Sequence, residues 1–231
     1  MSKIFSTLNK RKHKAAITVI FIALVGALLS YANRNRTDIE YELSSGFSAY
    51  KLGDYDKAIK HFESALDLDR KNAKVFLYIG MSKIAQNEYD CAADSITKAI
   101  ELDANYSDAY YMRALSYFKA GDMKKSIDDV SKAIDFIEYM PEVFEEYEAY
   151  YLRGLAKYNL HEFESAIEDF SYSIMQNGEF IEAFLYRGKA KTNLGQAKEA
   201  AEDFSLVLKK DPQNEESQEL RNFVLKYIGK T

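Results

Sequence analysis

The side chains that could do chemistry in this sequence are few and scattered. The three histidines are far apart in the chain: His13, His61 and His161. No group of His, Cys, Asp and Glu has the spacing of metal ligands, no glycine-rich loop is suited to phosphate, and no nucleophile has a recognisable base. Two pairs of adjacent acids, Asp128–Asp129 and Glu168–Asp169, recur at one place in a repeating pattern, which favours a solvated helix face over an active site. The sequence therefore predicts no catalytic, cofactor-binding or metal site, and hence no enzyme.

The composition favours a helical body with a protein partner. Hydrophobic residues make up 47% of the 231 residues, and there are only two prolines, which break helix interiors. Residues 1–36 contain seven of the 31 Lys and Arg residues and none of the 36 Asp and Glu residues. The remainder is therefore acidic. This argues against nucleic acid as a partner, because phosphate binding needs clustered basic side chains.

The N-terminal region predicts membrane attachment. A basic tail over 1–14 precedes residues 15–32, which contain no charged residue. A helix of that length spans about 27 Å, close to the hydrocarbon core of a bilayer. The excess of Lys and Arg before the segment predicts a single-pass membrane protein with a cytoplasmic N-terminus, a linker over 33–38 and a body on the periplasmic or extracytoplasmic side. The alternative is a cleaved signal peptide ending at Ser30-Tyr31-Ala32, which would leave a secreted protein.

The rest of the chain repeats itself. Small residues recur at steps of 34, 34, 40 and 34 residues: Gly46, Gly80, Ala114, Gly154 and Gly188. Sixteen residues after each comes a larger apolar residue: Phe62, Ile96, Val130, Phe170 and Phe204. Such a period indicates stacked pairs of helices, which cross closely where one helix carries a small residue and the large side chain fills the space alongside. The predicted fold class is therefore all-α.

Several short motifs carry a family resemblance: Gly53-Asp54-Tyr55, Gly121-Asp122, AIEDF at 166–170, AAEDF at 200–204, RGLA at 153–156 and RGKA at 187–190. With these motifs the chain resembles the tetratricopeptide repeat (TPR) family. The resemblance implies a right-handed α-solenoid of five helix-turn-helix units at 39–72, 73–106, 107–140, 147–180 and 181–214, within a domain over 39–214. A last amphipathic helix over 215–231, with a stripe of Leu220, Phe223, Val224 and Tyr227, is expected to cap it. A partner-binding helix is the alternative for that segment.

Six additional residues, 141–146, account for the 40-residue step. Pro141 suits the first turn of a helix, so the first helix of the fourth unit is predicted to begin early and to project. Its acids are expected either to be solvated or to form a docking surface.

The resemblance also implies where a partner would bind, because the first helix of each TPR unit lines a concave groove. The corresponding residues here make an apolar, Tyr-rich surface: Leu77, Met81, Ile84, Tyr111, Leu115, Phe118, Tyr151, Leu155 and Tyr158. The main hypothesis is a membrane-anchored scaffold that holds a protein or peptide in this groove. The alternatives are a structural component of an envelope complex that self-associates, giving a homo-oligomer, and a secreted adaptor.

Two further expectations concern single side chains. Three arginines precede repeat anchors: Arg113, Arg153 and Arg187. Their stems are expected to cover apolar surface while the guanidinium groups pair with nearby Asp or Glu, and the alternative is a basic ladder that binds an acidic ligand. The single cysteine, Cys91, is expected to be a partly buried, unreactive residue.

Overall fold

A computed structural model describes residues 2–139 and 141–228, with side chains from residue 21 onward except at 35, 139, 224, 227 and 228. These residues form eleven α-helices and one short 3₁₀ helix, and no strand occurs among them, so the prediction of an all-α fold is confirmed. The chain divides into two compact units, residues 1–71 and 72–231.

The N-terminal unit consists of a long helix and a short one. Helix α1 spans Ser2–Lys51 and packs against α2, Tyr55–Leu68. The contact is close at Gly46, where an added Cβ would lie 2.5 Å from the ring of Phe62. Asp54 begins α2 by accepting a hydrogen bond from the backbone N–H of Lys57, as expected of an N-cap.

The prediction of a single-pass membrane protein is wrong. Among the described residues no helix combines the length and the apolar character needed to cross a membrane. The segment 15–32 is not a separate element, because α1 continues through the predicted linker 33–38 into the first repeat. The side chains of the basic tail and of residues 15–20 lie outside the described part of the chain.

The C-terminal unit contains four helix pairs and a last single helix. The pairs are α3 Ala73–Ala85 with α4 Tyr89–Leu102, α5 Ser107–Ala120 with α6 Met123–Asp135, α7 Glu146–Asn159 with α8 Phe163–Gln176, and α9 Ile181–Asn193 with α10 Ala197–Lys210, followed by α11 Glu215–Ile228. The first helices α3, α5, α7, α9 and α11 contact one another in order and form one layer. Each second helix packs on its own first helix and on the next one.

The turn within each helix pair contains one residue in the left-handed region. These residues keep the repeat spacing: Gly53, Asn87, Gly121, His161 and Gly195. The region is open to glycine and only uncommonly used by other residues, with Asn and His among the most frequent of these. His161 therefore has a conformational role in a turn, and this accounts for one of the three histidines without any chemistry.

The small residues in the first helices have the predicted packing role. An added Cβ would lie 2.7 Å from the Phe170 ring at Gly154 and 2.6 Å from the Phe204 ring at Gly188. In the third repeat both partners change together, because alanine stands at the anchor and the smaller Val130 faces it. The larger anchor is thus matched by a smaller partner, as expected of a close-packed core that has no room for additional atoms.

Helix α11 continues the layer of first helices. Arg221 donates to Ser205 Oγ at 2.8 Å, just as Arg187 donates to Ser171 Oγ one repeat earlier. Leu220 packs on the apolar cluster of α10. Phe223 was predicted to belong to the same buried stripe, but its side chain is 64% exposed.

Candidate partner-binding groove

The predicted groove residues lie along the first helices with helical spacing. Positions separated by four and then three residues, such as 77, 81 and 84 on α3, share one face. The corresponding faces of α5 and α7 follow in the same layer, since these helices contact each other in order. We use the term groove for this surface of α3, α5 and α7.

The structure places the nine residues in two different environments. Leu77 is fully buried in a core cluster with Ile96, Ala99 and Met112, so it presents no surface to a partner. The other eight are half-buried, with part of each side chain exposed: Met81, Ile84, Tyr111, Leu115, Phe118, Tyr151, Leu155 and Tyr158. Partial burial of aromatic and aliphatic side chains is typical of a surface that can accept a partner.

Part of the groove is already covered by the chain itself. The connection between α6 and α7 runs over 136–145, whereas the corresponding connections at 103–106, 177–180 and 211–214 have four residues. Residues 141–145 are not helical, and α7 begins only at Glu146, so the predicted early start of that helix is wrong. We call residues 141–145 the strap.

The strap is held on α5 through its backbone. The carboxylate of Asp108 accepts hydrogen bonds from the backbone N–H groups of Glu142, at 3.0 and 3.1 Å, and Val143, at 3.0 Å. Asp108 is 3% exposed, and this burial raises the pKa of its carboxyl group above the ordinary value although the two N–H groups act in the opposite direction. The non-local partners on α5 explain why residues that could extend a helix do not.

Side chains of the strap fill the surface beside Asp108. The Phe144 ring stacks on Tyr111 with ring centroids 4.3 Å apart and an interplanar angle of 11°, and it is only 4% exposed. Val143 packs on the cluster that contains Leu77, and Glu142 forms an ion pair with Lys74 of α3. The strap therefore covers the part of the groove nearest the beginning of α3 and α5.

The acids around the strap have local partners. Glu148 Oε2 accepts the backbone N–H of Glu145 at 2.8 Å, which caps the start of α7. Together with Glu146, these acids lie at the positive end of the helix dipole, where negative charge is stabilising. They do not form the acidic projection that the sequence predicted.

Beyond the strap, the α7 part of the groove borders an aromatic cluster that also includes Phe180, just before α9, and Tyr186 of α9. Tyr151 contacts Phe180 and Tyr186, with ring centroids 4.8 and 6.0 Å apart, and Tyr158 contacts Tyr186 at 5.8 Å. Burial is the main cause that raises the pKa of Tyr151 above its ordinary value, so its phenol stays neutral at physiological pH. This surface can supply ring faces, ring edges and hydroxyl groups to a partner.

The three arginines form a repeated buried network. The guanidinium of Arg153 binds both carboxylate oxygens of Asp169, at 3.0 and 2.7 Å, and donates to Ser131 Oγ of the preceding repeat at 3.2 Å. The same arrangement joins Arg113 to Asp129 and Thr97, and Arg187 to Asp203 and Ser171. The predicted pairing of the arginines with acids is confirmed, and the network ties each repeat to the one before it.

The interpretation of the acid pairs as solvated is wrong for one member of each pair. Asp129 is 4% exposed and Asp169 is 2% exposed, whereas Glu168 is exposed. Asp169 also pairs with Lys157 at 2.7 Å. A buried carboxylate with two cations and several donors is a structural centre of the repeat rather than a free acid.

The N-terminal unit contains an acid–imidazole pair, Glu42 with His61. Glu42 stands where other repeats carry an aromatic anchor, and its carboxylate lies 2.7 Å from Nδ1 of His61. A shallow cleft of about 470 Å³ is lined by both helices there, including Ser44, Ser48 and His61. The hydroxyl of Ser48 donates to the backbone carbonyl of Ser44 rather than to the imidazole. The pair therefore joins α1 to α2.

The structure also bears on the single cysteine and on metal binding. Cys91 is exposed, contrary to the expectation that it is partly buried. Within the described part of the chain, no group of three or more His, Cys, Asp and Glu side chains is arranged to hold a metal ion.

Sequence reasoning missed the strap, Asp108 and the aromatic residues Phe180 and Tyr186. A signal existed for the strap, because a solvated helix extension has no need of the adjacent apolar residues Val143 and Phe144. Phe180 also had a counterpart, since Tyr106 and Phe180 each immediately precede a first helix.

Comparisons with known proteins agree with this architecture. Three family models, each described as tetratricopeptide repeat, match residues 44–72, 77–141 and 182–214, which together make up more than half of the chain. No curated protein matches the chain.

Similar solved structures include that of the MamA protein, with 26% identity and a TM-score of 0.66 over 76% of this chain and 93% of that one. YrrB, described as a TPR protein with an unusual peptide-binding site, has 18% identity and a TM-score of 0.68 over 84% of this chain and 96% of its own. PilF of Pseudomonas aeruginosa has 15% identity and a TM-score of 0.73 over 84% and 86% of the two chains. At these last two identities the likeness concerns the fold alone.

Proposed function

This chain belongs to the tetratricopeptide repeat family, and on that premise we propose that it is a scaffold that binds a protein or peptide partner in the groove of its first helices. The proposal rests mainly on one observation, the half-buried apolar and aromatic surface that continues along α3, α5 and α7 beyond the strap. Its residues are Met81, Ile84, Leu115, Phe118, Leu155 and Tyr158. A similar fold, that of YrrB, contains a peptide-binding site, so this architecture is able to form one.

The chemistry of the groove suits binding rather than catalysis. Apolar side chains and neutral phenols bury area and give hydrogen bonds, which are the main means by which interfaces gain affinity. The buried ionisable groups of the repeats, such as Asp169 with Arg153, are already paired with each other. We therefore assign the protein to binding modules rather than to enzymes.

The groove predicts that Tyr158→Ala weakens the partner complex by at least about tenfold, because truncating an aromatic anchor typically costs 2 kcal/mol or more. A photoreactive amino acid at position 115 or 155 of the full chain, in its native cells, should give a discrete crosslinked species that mass spectrometry identifies. Adding Tyr158→Ala should reduce the yield of that species.

Tyr172 provides the matched control, since it is an exposed tyrosine, at 49%, on the second helix α8. A crosslinker at 172 should give no such species, and Tyr172→Ala should leave the yield unchanged. Equal crosslinking from 115 and 172, or a yield that Tyr158→Ala does not alter, would contradict the proposal.

A second function, self-association, is favoured by a different observation. Large apolar side chains of α1 are exposed, with Leu24 at 58% and Leu28 at 66%, together with Phe21, Ile22, Leu29 and Tyr31. A contiguous apolar surface of this kind is typical of a protein contact. We propose that it joins copies of this chain.

Sedimentation velocity of the full chain tests self-association. We expect the unaltered protein to sediment as an oligomer and the variant Leu24→Lys with Leu28→Lys to sediment as a smaller species, because the two substitutions charge one face of α1. Leu102→Lys, at a position that is 42% exposed on α4, is the control and should not change the mass. A monomeric unaltered chain would rule this function out.

A further inference from the structure

The strap lies on the groove as a short non-helical segment. Its backbone bends at Glu142 and Val143 and becomes extended at Glu145, with φ −99° and ψ 153°, just before α7 begins. The backbone N–H groups of Glu142 and Val143 donate to the carboxylate of Asp108. The side chains of the strap contact both helices: Glu142 pairs with Lys74, Val143 packs on the α3–α5 cluster, and Phe144 stacks on Tyr111. Backbone hydrogen bonds combined with side-chain contacts are a recurring means of peptide recognition.

None of these contacts depends on the strap being part of the same chain. Asp108 and Tyr111 belong to α5 and Lys74 to α3, and these two helices also contact each other and α4 directly. The three neighbouring connections join successive repeats with four residues each. A spacing of 34 residues is thus sufficient to connect repeats, and the six added residues bring the groove its own occupant.

We propose that Asp108, Tyr111 and Lys74 form a subsite for a non-helical peptide segment of the type acidic–aliphatic–aromatic, and that the strap occupies this subsite until a partner of the same chemistry displaces it. This inference rests on the proposed function and specifies the partner of the same groove. The carboxylate of the partner pairs with Lys74, its backbone N–H groups donate to Asp108, and its ring stacks on Tyr111.

The tether gives the strap an advantage over any free peptide. A segment linked to its site by a short connection acts at an effective concentration in the millimolar range. A partner with the same contacts therefore binds the unaltered chain more weakly than it binds a chain whose subsite is empty. The strap thereby selects for partners that also engage the open part of the groove beyond Leu115.

Removing residues 141–146 from the full chain tests the inference, because the deletion restores the 34-residue spacing and leaves a connection of only five residues, 136–140. The probe is a fluorescein-labelled peptide of residues 141–146, Pro-Glu-Val-Phe-Glu-Glu, blocked at both ends, and binding is measured by fluorescence anisotropy. We expect the deletion variant to bind the probe at least about tenfold more tightly than the unaltered chain does. A probe with alanine in place of its phenylalanine should lose at least about tenfold in affinity.

A second substitution identifies the site. Asp108→Asn in the deletion variant leaves a single acceptor oxygen and should weaken binding several-fold, since hydrogen bonds to a charged group are among the stronger ones. A probe of the same composition in scrambled order should not compete. Binding that is equal for the scrambled and the ordered probes, or unaffected by Asp108→Asn, would overturn the inference.

Phe144→Ala in the full chain keeps the test decisive if the deletion variant does not fold. It removes the stacked ring of the strap and changes no residue of α3 or α5, so the probe should again bind more tightly than it does to the unaltered chain. A folded Phe144→Ala variant, judged by circular dichroism, that does not bind the probe would overturn the inference.

The test of the subsite and the test of the proposed function can fail independently of each other. Crosslinking from position 155 that depends on Tyr158, with no binding of the probe, would leave the scaffold function standing and remove only the subsite. Probe binding without any partner crosslinked to the groove would leave the subsite standing and remove the scaffold function.

Discussion

Asp169→Ala is expected to lower the free energy of unfolding by about 3–5 kcal/mol, because removing one partner of a buried ion pair leaves the other charge uncompensated. Asp169 is 2% exposed and binds Arg153 through both oxygens, and Lys157 also lies 2.7 Å from it. The substitution leaves two cations facing each other with no carboxylate between them. Urea denaturation of the full chain, followed by circular dichroism, measures the loss.

The neighbouring acid supplies the control. Glu168 is exposed on the same turn of α8, and Glu168→Ala should change the free energy of unfolding by no more than about 0.5 kcal/mol, as is usual for surface substitutions. If Glu168→Ala lowered the free energy of unfolding as much as Asp169→Ala, the change in net charge, and not the loss of the buried ion pair, would be responsible.

The third repeat gives a graded comparison. Asp129 binds Arg113, but Tyr117 stands where the fourth repeat has Lys157, so Asp129→Ala leaves one uncompensated cation instead of two. Its cost should be smaller than that of Asp169→Ala. Replacing both partners, with Asp129→Leu and Arg113→Met, should recover much of the loss, because an apolar pair of similar volume is often as stable as a buried ion pair. A double variant as unstable as Asp129→Ala alone would contradict this explanation.

The 34-residue repeat predicted the helix pairs well because the two helices of each pair are neighbours in the sequence and pack on each other. The small residue of each first helix meets the large residue sixteen positions later, and both are visible in the sequence as a repeated pair. The burial of Asp169 was also open to prediction. With Ala166, Phe170 and Ser173 it occupies positions i, i+3, i+4 and i+7, so it lies on the buried face of α8. Recurrence alone had suggested a solvated face, yet a buried contact recurs just as regularly.

The strap could not be predicted in the same way. Its conformation depends on Asp108 and Tyr111, which are more than thirty positions earlier in the chain. Pro141 and the following acids are good residues for the start of a helix, so local propensity pointed to an extension of α7. Tertiary contacts outweighed that propensity, and they also decided which predicted groove residues are covered and which stay partly exposed.

Phe170→Ala is the other substitution with a large expected effect. Phe170 is fully buried against Gly154, and truncating a buried phenylalanine to alanine costs about 3–5 kcal/mol through lost burial and the cavity left behind. Gly154→Ala creates the opposite fault, since its Cβ would lie 2.7 Å from the ring, and overpacking of this kind costs about 1–3 kcal/mol. Gly26→Ala is the control, because its Cβ would meet nothing within 4 Å and alanine favours the helix by up to about 1 kcal/mol.

The third repeat shows how the two faults cancel. Ala114 and Val130 occupy the positions of Gly154 and Phe170, so the repeat accepts either a very small residue with a large one or a larger anchor with a smaller partner. The double variant Gly154→Ala with Phe170→Val copies the third repeat into the fourth. We expect it to lose less stability than the sum of Gly154→Ala and Phe170→Val, with a favourable coupling of about 0.5–3 kcal/mol. Urea denaturation of the four proteins gives this coupling directly. Losses that simply add would mean that the small and large residues act independently, and that the repeated pair does not determine how closely the two helices cross.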